Sequence, residues 1–253
     1  MTTPRSLIHR LDAIGASLAA TGRGLALLGL GSVGLETERL DAFSDLDFFA
    51  IVEPGHKQDF LDSLDWLERV HPVAFAFQNT VDGFKLLYAD GIFCEMAVFE
   101  PDELAEIPFA PGRVVWKRAD VDEAIAIPRR VDAPRPPADP AWLLGEALTN
   151  LYVGLARFRR GEKLSATRFI QQFAVDRVLD LLPAPENSHI PADPFSPERR
   201  MEARHPELAA HLPSFVQGYE RSPQSALAIL DFLEERFEVN PALAAAIRGM
   251  AEG

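Results

Sequence analysis

Five prolines fall between Ile127 and Ala141, in the stretch IPRRVDAPRPPADPA, and the hydrophobic period changes across them. Proline lacks a backbone N–H and fixes φ, so a run of this kind interrupts helix and sheet alike and acts as an extended, semi-rigid spacer. Upstream, short apolar runs alternate with glycine- and aspartate-rich breaks. Downstream, apolar residues recur every three or four positions. The sequence therefore predicts two domains, residues 1–127 and 142–253, joined by a proline-rich linker at 128–141.

In the first half, Leu7, Leu11, Ile14 and Leu18 are spaced as one face of an amphipathic helix between Ser6 and Ala20. Leu25 to Leu30 is too short for a helix and reads as a buried strand, and Asp45 to Val52, closed by Pro54-Gly55, reads as a second. His56 to Val70 carries Phe60, Leu61, Leu64 and Leu67 at helical spacing. Three strands follow at Val73 to Phe77, Phe84 to Tyr88 and Ile92 to Phe99, with a turn at Ala89-Asp90-Gly91 and an edge strand at Val114 to Lys117. This order predicts an α/β or α+β domain, a mixed β-sheet with helices on one face.

In the second half, one stripe runs through Trp142, Leu143, Ala147, Leu151, Leu155 and Phe158, and another through Leu164, Phe169, Ile170, Phe173, Val178 and Leu181. A proline-rich loop is expected from Pro183 to Pro197. Ser222-Pro223 and Asn240-Pro241 are each expected to cap and open a helix, the first burying Leu227, Leu230 and Leu233. A helical bundle follows from that pattern.

The chemistry is concentrated between Leu27 and Val52. The first apolar run ends in Gly31-Ser32, and twelve residues separate Ser32 from Asp45. A glycine directly after a strand lets backbone approach a phosphate, and the serine adds its amide and hydroxyl. Asp45 and Asp47, two apart along a strand, share one face. Like charges about 5 Å apart repel by roughly 3 kcal/mol at an effective dielectric of 20, so a pair beside a buried strand calls for a cation. Magnesium takes oxygen ligands, commonly one or two carboxylates plus substrate phosphates. A phosphate-holding turn beside a metal-holding strand is what phosphoryl or nucleotidyl transfer requires.

Gly31-Ser32 followed by Ser44-Asp45-Leu46-Asp47 resembles the signature of the nucleotidyltransferase superfamily that shares the DNA polymerase β palm. Within it, the layout is similar to the aminoglycoside and lincosamide nucleotidyltransferases, small bacterial enzymes with an N-terminal palm and a C-terminal helical domain. The resemblance implies an α+β fold in which a nucleotidyltransferase palm precedes an α-helical bundle. It also implies transfer of a nucleoside monophosphate, AMP from ATP, to a hydroxyl of a small acceptor such as an aminoglycoside-like or lincosamide-like compound, making the chain an antibiotic-resistance enzyme. By position, Gly31 and Ser32 would hold the triphosphate and Asp45 and Asp47 would ligate Mg²⁺.

The same pattern asks for a third carboxylate on a later strand. Glu95 is the one charged residue in Ile92 to Phe99 and fits as metal ligand, as general base, or as both. A structural salt bridge is the competing reading, and Asp90 reads as a turn residue. Arg157, Arg159, Arg160, Lys163 and Arg168, around Gly161-Glu162, either reach the nucleotide or acceptor or form a solvated helix-end surface. Two other classes stay open: a nucleotide-binding regulatory module without turnover, and a protein-modifying nucleotidyltransferase of the toxin–antitoxin kind.

Composition narrows the partners. With 25 Lys plus Arg against 38 Asp plus Glu, the net charge is −13, and no basic run offers a stripe for a phosphate backbone, which argues against nucleic acid or an anionic membrane. The single cysteine, Cys94, excludes an internal disulfide and reads as a buried small hydrophobe. No apolar stretch approaches the roughly 20 residues that span a bilayer, and a cytoplasmic location is expected.

Overall fold

The computed structural model describes residues 3–130, 139–182, 190, 193, 196 and 198–252. The core of the proline-rich linker, 131–138, and most of the expected loop from Pro183 to Pro197 lie outside those residues. The chain forms two compact units, Met1–Pro134 and Arg135–Gly253. Its fold class is α+β, a mixed sheet followed by helices.

In the first unit, α1 (Pro4–Ala20) starts where Thr3 accepts a hydrogen bond from the Ser6 amide at 3.1 Å while Ser6 Oγ accepts one from the Thr3 amide at 2.9 Å. That reciprocal cap satisfies donors the helix itself cannot. Leu7, Leu11, Ile14 and Leu18 are fully buried, as their spacing predicts. Arg10 is buried among them because its guanidinium lies 4.4 Å from the centre of the Tyr88 ring and pairs with Asp90 at 2.7 Å.

Six strands make one sheet: β1 (Gly24–Gly29), β2 (Leu46–Val52), β3 (Val73–Gln78), β4 (Gly83–Tyr88), β5 (Phe93–Phe99) and β6 (Arg113–Lys117), in the order β3-β4-β5-β2-β1-β6. β2 and β5 are parallel, and the other neighbours are antiparallel. Side-chain alternation divides the sheet cleanly. Leu46, Phe48 and Ala50 of β2, Cys94, Met96 and Val98 of β5, and Leu86 and Tyr88 of β4 form one core with α1. On the opposite face Ala26, Leu28, Ile51 and Phe99 pack under Leu104, Phe109 and Ala126 from the segment after β5. The sequence pattern places helices on one face only. Two single-turn helices, Glu103–Ala105 and Glu123–Ala126, cover this opposite face over the β1–β2 half.

The helix expected from His56 to Val70 is two short ones, α2 (Lys57–Asp62) and α3 (Asp65–Glu68). Ser63 turns extended at φ −133, and its Oγ accepts from the Asp65 amide at 3.2 Å, restarting the helix one turn on. The break lets Phe60, Leu61, Trp66 and Leu67 all reach the core.

The second unit is helical: α4 (Pro140–Arg159), α5 (Lys163–Arg168), α6 (Val175–Leu181), α7 (Met201–Arg204), α8 (Pro206–Ala209), α9 (Leu212–Phe215), α10 (Ser222–Arg236) and α11 (Pro241–Glu252). A π-helical turn, Phe169–Ala174, joins α5 to α6. It turns Gln171 inward, where its amide donates to the Gly218 carbonyl and to Ser222 Oγ and its oxygen accepts from the Gly218 amide. Ser222 is thus the first residue of α10 with a buried hydroxyl, rather than the cap expected from sequence. Asn240 does cap α11, accepting from Ala242 and Leu243 at 3.0 and 3.2 Å. Leu164 and Phe173, placed on the buried stripe by their spacing, are exposed, as is Trp142 at the start of α4.

α4 crosses this π turn through Gly154, where an added Cβ would stand 2.5 Å from Ile170 Cγ1 and 3.1 Å from Phe169 Cβ. Replacing Gly154 by valine is expected to destabilise the helical unit by about 1–3 kcal/mol, read as a lower urea midpoint followed by circular dichroism.

Candidate active site

β1 ends in a single helical turn, Gly31–Val33. The bonds that close it are donated by Val33 to the Leu30 carbonyl and by Gly34 and Glu36 to that of Gly31, all at 3.1–3.2 Å. Arg113 of β6 donates from Nε and Nη2 to the Val33 carbonyl at 3.3 and 3.1 Å, anchoring the turn. Gly31 has φ +51, a conformation costly for any residue with a side chain. Gly34 is required for another reason: a Cβ there would meet the Gly29 carbonyl oxygen at 2.6 Å.

Asp45 directly precedes β2 and Asp47 is its second residue, so the strand begins one residue later than expected. Leu46 and Phe48 point into the core, and Asp45 and Asp47 lie half-buried on the other face. The Leu30 amide donates to the Asp47 carbonyl at 2.8 Å, tying the end of the turn to the carboxylate strand. A Cβ on Gly31 would stand 3.5 Å from Asp47 Oδ2 and 3.9 Å from Arg39 Nη2. The turn, a carboxylate and a guanidinium therefore converge.

Sequence reasoning missed Arg39. It lies in a short helical turn, Thr37–Arg39, pairs with Glu36, and holds a buried Nε that has no hydrogen-bond partner among the described residues. The signal was available, since it is the only Lys or Arg between Ser32 and Asp45.

Glu95 faces Asp47 across the parallel pair β2–β5, and Lys85 faces Glu95 across β4–β5. Lys85 Nζ donates to Glu95 Oε1 at 2.6 Å, both side chains being partly exposed. That hydrogen bond, the Glu95 charge, and the more distant charges of Asp47 and Asp45 hold the Lys85 ammonium above its ordinary range. The structure thus brings Asp45, Asp47, Glu95 and Lys85 to one face. Among the described residues, no group of three or more His, Cys, Asp or Glu side chains is arranged to hold a metal. Two carboxylates with phosphate oxygens completing the shell remain a suitable donor set for magnesium.

Elsewhere, the basic residues of the helical unit are largely spent on local contacts. Arg157 reaches Ser165 and stacks 4.2 Å over Phe169, Arg159 donates to the Met250 carbonyl, Arg160 lies 3.8 Å from Glu162, and Lys163 pairs with Glu220. Lys163 and Arg168 also line an open cavity of about 370 Å³ with Leu164 and Tyr219. Asp90 closes the β4–β5 turn and binds Arg10.

No protein-family model and no curated protein matches the sequence. The solved structures that resemble it include three at 11% identity each. An aminoglycoside 6-adenyltransferase from Bacillus subtilis is covered over 90% of its length by 96% of this chain, with a TM-score of 0.32. A nucleotidyltransferase-like protein from Exiguobacterium sibiricum is covered over 78% by 97% of this chain, at 0.31. The STING-associated CdnE c-di-GMP synthase from Capnocytophaga granulosa is covered over 79% by 98% of this chain, at 0.30. No helix among the described residues is long and apolar enough to cross a membrane.

Two outcomes follow. Gly31→Ala is expected to cost about 1–2 kcal/mol of stability because φ is positive there, read by thermal or urea unfolding. Cys94 is fully buried, and burial pushes its thiol well above the usual range. Its thiol is therefore expected to stay silent to a disulfide reagent at pH 8 until denaturant unfolds the chain, so that labelling reports opening of the sheet.

Proposed function

We propose that this chain is a nucleotidyltransferase that moves a nucleoside monophosphate, AMP from ATP, onto a hydroxyl of a small molecule. The observation that carries the reading is the convergence of the positive-φ Gly31, the Asp47 carboxylate and Arg39 at the junction of β1 and β2. Backbone with no side chain in the way, a guanidinium with an unsatisfied buried N–H, and hard oxygen ligands answer three needs of a triphosphate.

In this reading the Gly31-Ser32 turn and Arg39 hold the phosphates, and Asp45 and Asp47 hold Mg²⁺. Bound there, the metal neutralises charge on the triphosphate oxygens. The acceptor oxygen bonds to the α-phosphorus, the bond from that phosphorus to the α,β-bridging oxygen breaks, and pyrophosphate leaves with the bonding pair. The hydroxyl proton passes to Glu95, whose Oε1 is steadied by Lys85.

The Lys85–Glu95 ion pair also favours a second reading, a module that binds nucleotide without turnover, because the ammonium occupies the Oε1 that a catalytic base would turn toward the acceptor. Labelled ATP separates the readings: label on an added small molecule supports transfer, label on protein supports protein modification, and binding without pyrophosphate release supports the module. Asp47→Asn is expected to lower pyrophosphate release about a hundredfold or more, since removing one charge from the metal-holding pair forfeits several kcal/mol of transition-state stabilisation. Near-full activity in that variant would sink the assignment.

A further inference from the structure

Register across four strands sets out a continuous row on the carboxylate face: Asp47 opposite Glu95, Glu95 opposite Lys85, and Lys85 opposite Phe77. A second row beside it runs Phe93, Leu87, Phe75. Directly paired residues share a face, so Phe75, Phe77, Leu87 and Phe93 form an apolar platform that continues the acidic end of the site. Phe75 and Phe77 are 56% and 53% exposed. Two neighbouring phenylalanines left in water on one face, contiguous with two more apolar side chains, are unlike the scattered exposed apolar residues of an ordinary surface.

The order along the row says which part of a substrate meets the platform. Gly31, Ser32 and Arg39 lie at β1 and the turn after it, on the far side of β2 from β5, β4 and β3. The triphosphate therefore enters from the β1 side, and the acceptor lies over β5, β4 and β3. Strands are about 4.8 Å apart, so Phe77 is about 10 Å from Glu95 and about 14 Å from Asp47 along the row. That is the span of a two-ring molecule whose hydroxyl sits at Glu95. Phe75 and Phe77 are about 7 Å apart along β3, close enough for one flat ring system to cover both.

Lys85 lies between Glu95 and Phe77 in the row, and its ammonium is bonded to Glu95 at 2.6 Å, so the pair is charge-neutral and the aliphatic stem of the lysine continues the apolar surface toward the acid end. Resting on the nucleotidyltransferase reading, we infer that the acceptor is a flat, apolar or aromatic molecule bearing a hydroxyl, seated on Phe75 and Phe77.

Direct binding of 2-naphthalenemethanol to the full chain, followed by its own fluorescence and by saturation-transfer NMR, tests this. The dissociation constant is expected to rise about tenfold or more in Phe77→Ala and in Phe75→Ala, and to hold within about twofold in Phe77→Tyr. Circular dichroism checks that each variant is folded, and the tyrosine variant keeps the test informative if an alanine variant is not. Equal affinity in wild type and both alanine variants overturns the proposal. So does tighter binding of kanamycin at the same face, or a dimer by sedimentation that dissociates in Phe77→Ala, which would make the platform a subunit seam. If ATP with Mg²⁺ gives neither a thermal shift nor pyrophosphate release while naphthalenemethanol still binds through Phe75 and Phe77, the transfer reading fails and the platform stands.

Discussion

The parallel pairing of β2 with β5 is the constraint on which the candidate site depends. Parallel neighbours cannot be joined by a tight turn, so the chain must leave β2, cross over and return to lay β5 beside it. Here the crossover is α2, α3 and the β3–β4 hairpin. Because β5 then lies between β2 and β4, a single register brings Asp47, Glu95, Lys85 and Phe77 into line although they come from four separate strands. β1 approaches β2 from the other side and delivers the Gly31 turn to the same end.

Charge then decides how that face can exist. Asp45, Asp47 and Glu95 repel one another, and a chain of net charge −13 adds no general relief. Two cations meet the need locally. Lys85 neutralises Glu95 from the β4 side, and Arg39 approaches Gly31 and Asp47 from the loop after β1. Both stand beside the carboxylates rather than in place of the divalent cation that the proposed reading puts between Asp45 and Asp47.

Much of the fold was legible in sequence, because each legible element announces itself by a local rule. α1 shows in the spacing of Leu7, Leu11, Ile14 and Leu18, and the six strands show as short apolar runs bounded by glycine and aspartate. Gly31, Asp45 and Asp47 could be placed because strand alternation fixes their face. What escaped notice was set by partners distant in sequence. The π turn exists to carry Gln171 to Gly218 and Ser222, and neither residue marks it locally. Ser222 looked like a cap because serine before proline usually is one, whereas its hydroxyl is used inward. Lys85 and Phe77 join Glu95 only through register, which no local pattern in Phe84 to Tyr88 or Val73 to Phe77 encodes.

Register also couples stability to recognition. On the buried face of the same strands, Leu86, Tyr88, Cys94 and Met96 pack against α1 and the rest of the core. A slip of β4 by one residue would turn Lys85 into that core and bring Leu86 out opposite Glu95, exchanging every side chain between the two faces. The cost of burying an ammonium forbids it. The packing that makes the sheet stable thus also fixes the sequence of acid, cation and aromatic along the open row. The segment after β5 turns at Pro101 and spends Leu104, Phe109 and Ala126 covering Phe49, Ile51 and Phe99, a cover that leaves Phe75 and Phe77 of β3 exposed.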